Sequence, residues 1–124
     1  MTDGAIRLFL ADDHTIVRQG LAKLLDAELD MEVIGEAENG REAVKKVEAL
    51  QPDVVLMDIS MPLLNGIEAT RHIKKAAPQT RVIILSMHDD RTLVGRALEA
   101  GAKGYIVKKD EAVEGVHAIR EVYK

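Results

Sequence analysis

Three aspartates, a serine and a lysine are placed in this chain where they could handle a phosphoryl group, each at the polar end of a short apolar run. Asp12 and Asp13 follow Ile6-Arg7-Leu8-Phe9-Leu10-Ala11, and Asp58 follows Val54-Val55-Leu56-Met57. Ser86 follows Val82-Ile83-Ile84-Leu85, and Lys108 follows Tyr105-Ile106-Val107. Runs so rich in β-branched and large apolar residues suit buried strands, and if they lie parallel their polar ends meet at one edge. Three carboxylates gathered there repel one another unless a cation or protons intervene. A divalent metal is the natural partner: oxygen ligands without paired histidines favour a hard cation, and magnesium over calcium if waters and a phosphoryl oxygen complete the shell. Manganese would substitute. Singly, each aspartate is better explained as a cap on a helix or loop; together they point to the metal. A carboxylate such as Asp58 can attack phosphorus to give an acyl phosphate once charge on the phosphoryl oxygens is offset, and Lys108 can supply that cation. The Ser86 hydroxyl can donate to a phosphoryl oxygen and so report its presence.

The elements that must position these groups alternate. Thr15 is a plausible cap for a first helix whose apolar stripe is Val17, Leu21, Leu24, Leu25 and Leu29. A second strand runs Met31–Ala37, and Asn39-Gly40 opens a helix carrying Ala43, Val44, Val47 and Leu50 inward before Pro52 forbids continuation. Loop signals at Ser60-Met61-Pro62 and Asn65-Gly66 precede a third helix through Ile67, Thr70, Ile73 and Ala77, stopped by Pro78. Asp89 and Asp90 suit the positive end of a fourth helix, and Gly101 suits its left-handed cap. The last helix spans about Glu111 to Tyr123, with Val113, Val116, Ile119, Val122 and Tyr123 open to burial or to dimer contacts. Five such alternations predict an α/β fold, a doubly wound five-stranded parallel sheet with helices on both faces. In the flavodoxin-like order 2-1-3-4-5, a crevice between the first and third strands would gather Asp12, Asp13 and Asp58.

Composition narrows the function classes. At 124 residues with 47% hydrophobic content, one domain fits and a second does not. There is no cysteine, which excludes disulfides and thiolate metal sites and is compatible with a reducing compartment. No apolar stretch reaches membrane-spanning length, and no signal peptide is apparent. The net charge of −4 argues against a nucleic-acid-binding surface on this segment. His14, His72, His88 and His117 are dispersed and lack paired zinc spacing, which places them at the surface or the edge of a site.

The residues resemble, end to end, the receiver domain of bacterial two-component response regulators. The resemblance is carried by Leu10-Ala11-Asp12-Asp13-His14, by Val55-Leu56-Met57-Asp58-Ile59-Ser60-Met61-Pro62 with Gly66, by Ser86, and by Gly101-Ala102-Lys103-Gly104-Tyr105-Ile106-Val107-Lys108. The wording Leu85-Ser86-Met87-His88-Asp89-Asp90 is similar to the NarL/FixJ group, whose receivers usually precede a LuxR-type helix-turn-helix. The resemblance implies a cytoplasmic receiver over residues 1–124 with no output domain in this chain, so that DNA is reached only through a domain not present. It also implies that Asp58 takes a phosphoryl group from a sensor histidine kinase. Asp13, Asp58 and the Ser60 backbone carbonyl would ligate magnesium, with Asp12 assisting through water. Lys108 would pair with the phosphoryl group, Ser86 would move to bond it, and Tyr105 would shift inward, altering a surface used by partners that include a second copy of the chain. Such a protein assists its own phosphorylation without being a turnover enzyme.

Two positions depart from the commoner pattern. Lys109 stands where many receivers outside this group have proline, which leaves a cis bond after Lys108 open. Met87 replaces a small residue and, with His88, is expected to restrict the water that would hydrolyse phospho-Asp58. A magnesium-dependent phosphatase with an aspartyl nucleophile is the rival, but it needs an acid/base aspartate two residues after the nucleophile, where Ser60 stands. A phosphorylation-independent interaction module is the third reading, and it has no need of the acidic cluster.

Overall fold

A computed structural model describes residues 4–87, 91–107 and 111–124, with side chains from residue 115 onward in the last segment. His88, Asp89, Asp90, Lys108, Lys109 and the Val113 side chain lie outside the described residues, and with them the form of the bond after Lys108. Strands and helices alternate as β1 (Ile6–Ala11), α1 (Thr15–Asp26), β2 (Met31–Ala37), α2 (Gly40–Leu50), β3 (Val54–Asp58), α3 (Gly66–Ala76), β4 (Arg81–Ser86), α4 (Arg91–Ala100), β5 (Gly104–Val107) and α5 (Glu111–Tyr123). All strand pairs are parallel, in the order β2-β1-β3-β4-β5.

Because side chains alternate across a strand, each apolar run feeds two cores. Phe9, Val55, Met57, Val82 and Ile84 face α2, α3 and α4 through Val47, Ile73 and Ala97. Leu8, Leu10, Leu56, Ile83 and Leu85 face α1 and α5 through Leu21, Leu25 and Ile119. Burial on both faces is why these strands read as unbroken apolar runs.

Asn39 and Asn65 cap α2 and α3, each accepting from the backbone N–H three residues on, at 2.8 and 3.0 Å. Gly101 follows α4 with φ +113°, the left-handed region that favours glycine. The first helix departs from expectation in two respects. Thr15 is its first residue, and the cap is His14, whose side chain makes no capping bond. The buried stripe is Arg18, Leu21 and Leu25, whereas Val17 and Leu24 are exposed and Leu29 is 99% exposed. Leu29 lies past the Ala27 cap and so cannot share a helical stripe, and the inward position one turn before Leu21 belongs to Arg18, whose head finds acceptors at the sheet edge.

On the opposite edge Arg120 of α5 holds the turn into β2, donating to both Asp30 carboxylate oxygens at 2.8 Å and to Glu28 Oε1 at 2.8 Å. Hydrogen bonding from Arg120, only partly opposed by desolvation, holds the Asp30 carboxyl below its ordinary pKa. A depressed carboxyl contributes stability that is present above its unfolded pKa and is lost as pH falls through the folded value. Thermal unfolding midpoints of wild type and Arg120→Ala should therefore differ at neutral pH and converge below about pH 4. A difference unchanged down to pH 2 would contradict this linkage.

Candidate functional site

Register sets the site. Ala11 pairs with Met57 and Asp58 with Leu85, so β1, β3 and β4 end side by side. The Asp12 N–H continues the β1 ladder to the Ala37 carbonyl, and the Ile59 N–H continues the β3 ladder to the Leu85 carbonyl, both at 3.0 Å. Asp12 and Asp58 are thereby buried, at 4% and 3% exposure, while Asp13 is open to solvent on the rim.

Ligand atoms of Asp12, Asp13, His14 and Asp58 all lie within 4.8 Å of one another. The His14 N–H donates to Asp12 Oδ1 at 2.8 Å, and its Nδ1 stands 3.0 Å from that same oxygen. Nδ1 is also 3.3 Å from Asp13 Oδ1 and 3.9 Å from Asp58 Oδ2. The Ser60 N–H donates to Asp58 Oδ1 at 3.3 Å, and its side chain is exposed. Ser86 is fully buried at the end of β4, opposite Val107. Tyr105 is half-buried on β5 and packs against the core beneath α2, α3 and α4. Met87 is 72% exposed just beyond Ser86. The structure thus gathers Asp12, Asp13 and Asp58, sets Ser60 on the loop above Asp58, and places Ser86 at the end of the adjoining strand. Lys108 falls outside the described residues. Beside Ser60 opens a cleft of about 290 Å³ lined by Ile59, Asn65, Ile67, Leu93 and Arg96.

One site residue escaped the reading of the sequence, and another was read only in part. His14 was read as a surface or site-edge histidine, which it is, but its contact with all three aspartates was not foreseen. Arg18 was not singled out in the sequence. It is buried, and it donates to the Asp12 carbonyl at 2.6 Å and to Glu36 Oε1 at 2.9 Å, fixing the loop that carries both aspartates. Arg18→Ala leaves a buried carbonyl without this donor and should cost about 2 kcal/mol, read as a lower urea midpoint at unchanged slope. A loss below about 0.5 kcal/mol would mean that the loop holds itself.

Parallel strands ending on a carboxylate cluster at the first crossover are one part of the identification, and the comparison with known families is the other. The family model of the response regulator receiver domain matches residues 8–120. The chain belongs to that family. This receiver is 39% identical over 122 residues to the transcriptional regulatory protein DegU of Brevibacillus brevis, covering 98% of this chain and 52% of DegU. It therefore spans about half the length of such relatives, which are transcriptional regulators of the NarL/LuxR type. The signal receiver domain of NarL from Mycobacterium tuberculosis superposes with a TM-score of 0.91 at 32% identity, covering 96% of each chain. A chain of the CheX-CheY-BeF3-Mg+2 complex from Borrelia burgdorferi matches with a TM-score of 0.90 at 26% identity, over 99% of this receiver and 98% of that chain. No helix among the described residues is long and apolar enough to cross a membrane.

Proposed function

We propose that this receiver accepts a phosphoryl group on Asp58 from a sensor histidine kinase and passes the event on as a change of surface. The observation that carries the reading is the convergence of Asp12, Asp13 and Asp58 at the strand ends, with Asp58 almost wholly buried. A carboxylate oxygen of Asp58 attacks phosphorus as the bond to the donor imidazole breaks, leaving an acyl phosphate and a neutral imidazole. The donor set fits a hard divalent cation, since its three carboxylates stand close enough to share one. Asp13, Asp58 and the Ser60 carbonyl would hold magnesium, and Asp12 would orient a water on it. When bound, the ion neutralises the carboxylates and the phosphoryl oxygens. The Borrelia complex, which carries BeF3 and Mg+2 by name, lends support to a site of this kind.

Lys108 supplies the cation for the phosphoryl group, and Ser86 and Tyr105 form the switch. Ser86 adjoins β3 through β4, and Tyr105 lies on the neighbouring strand at the core of the α4 face. The bias cannot exceed the phosphoryl group's differential interaction with the two surface states. The donor kinase must reach Asp58 past the exposed rim, where Ile16 of α1 is 86% exposed and Val17 and Leu24 continue an open apolar stripe. That stripe suits the kinase, and on phosphorylation a homodimer through α1, α5 or the α4 face. DNA binding by the whole regulator, residence in the cytoplasm and the assignment of residues 1–124 to the receiver alone belong to the same proposal. So does restriction of hydrolytic water by Met87.

Incubation with acetyl phosphate, with and without magnesium, followed by intact mass, tests the reading. A magnesium-dependent gain of one phosphoryl group is expected. Steady release of inorganic phosphate without an adduct would favour the phosphatase, and neither adduct nor turnover would favour the scaffold.

A further inference from the structure

Resting on that reading of the acidic cluster, we propose that His14 is a nitrogen ligand in the same site, so that the receiver discriminates among divalent cations instead of merely tolerating substitutes for magnesium. His14 is the cap residue of α1, yet its side chain takes no part in capping. Its ring is instead turned to the carboxylates, with Nδ1 at 3.0, 3.3 and 3.9 Å from oxygens of Asp12, Asp13 and Asp58. An octahedral cation with bonds of about 2.1 Å sets neighbouring ligands about 3.0 Å apart and opposite ones about 4.2 Å. The separations from the two carboxylates that would ligate, 3.3 Å to Asp13 and 3.9 Å to Asp58, fall within that span. The backbone bond from the His14 N–H to Asp12 Oδ1, at 2.8 Å, anchors the residue so that the ring is held over the cluster.

Magnesium gains little from an imidazole, being a hard ion that prefers oxygen and keeps its waters, whereas cobalt and nickel take nitrogen and oxygen together and manganese, though served mainly by oxygen, accepts an imidazole beside carboxylates. One site then offers two faces. Carboxylates and water serve magnesium, and the same carboxylates with Nδ1 of His14 serve a transition ion. The half-exposed ring, at 62%, can close on the ion without opening the core.

Electron spin echo spectroscopy of the manganese-loaded chain reads the ligand directly, alongside calorimetric titration of manganese and magnesium into wild type and His14→Ala. Nitrogen coupling is expected in wild type and absent in His14→Ala, with the ratio of manganese to magnesium affinity falling by about tenfold. Circular dichroism of the variant establishes that it is folded. Manganese bound without nitrogen coupling, or coupling that survives in His14→Ala, overturns the ligation while leaving the oxygen site in place. No manganese bound to wild type at all overturns both the ligation and the metal reading beneath it.

Discussion

Asp58→Asn will fold as wild type does and will take up no phosphoryl group from acetyl phosphate, with or without magnesium. The side chain sits at the last position of β3, 3% exposed, and accepts from the Ser60 N–H. An amide oxygen keeps that bond in the same volume, so urea unfolding should stay cooperative and shift by no more than about 1 kcal/mol. What disappears is the anionic oxygen, and a neutral amide is no nucleophile toward phosphorus at neutral pH. The same change removes one of the three carboxylates of the proposed metal site, so magnesium affinity should also fall. An adduct of undiminished yield on the variant would mean that phosphorylation occurs elsewhere on the chain.

Gly66→Ala should strongly damage the fold beneath the site. A Cβ at Gly66 would stand 2.9 Å from the Ile59 Cα and 3.0 Å from the Asp58 carbonyl carbon, and nearer still to the Asp58 carbonyl oxygen. All three are backbone atoms, so no rotamer relieves the clash. The Gly66 N–H donates to the Ile59 carbonyl at 3.0 Å, which binds the start of α3 to the end of β3. Forcing the two apart should cost about 3 kcal/mol, the upper end of overpacking, and should slow phosphorylation because the displaced atoms carry Asp58. Gly95→Ala is the contrast. Gly95 lies inside α4 and a Cβ there meets nothing within 4 Å. Alanine should stabilise that helix by about 0.5–1 kcal/mol. Urea midpoints of the two variants should move in opposite directions, and a Gly66→Ala loss no larger than about 1 kcal/mol would show that the loop yields.

The strands were legible because a sheet buried on both faces must be written in continuous apolar residues, and the runs ending at Asp12, Asp58 and Ser86 are such stretches. Punctuation by Asn39-Gly40, Pro52, Asn65-Gly66, Pro78 and Gly101 marked the helix ends for equally local reasons. Strand order was not legible from periodicity, since every order of five parallel strands has the same alternation; the flavodoxin-like order common to doubly wound sheets supplied it. Helix α1 was misread where hydropathy and topology part company. Leu24 and Leu29 are apolar and exposed, while Arg18 is charged and buried because its acceptors, Glu36 and the Asp12 carbonyl, come from other strands' ends. The reach of His14 into the site was hidden for a related reason, as its partners include Asp58, 44 positions along the chain. Gly66 looked like a turn residue, whereas its role is to let a helix start against the backbone of β3.

The most direct test of the central claim is to locate the phosphoryl group. The chain, phosphorylated with acetyl phosphate and magnesium, is treated with borohydride, which reduces an acyl phosphate of aspartate to homoserine, and its peptides are sequenced by mass. Homoserine at position 58 and nowhere else is the result expected here. Homoserine at Asp12 or Asp13, or a phosphoryl group that resists reduction, would contradict the assignment of Asp58 as the acceptor.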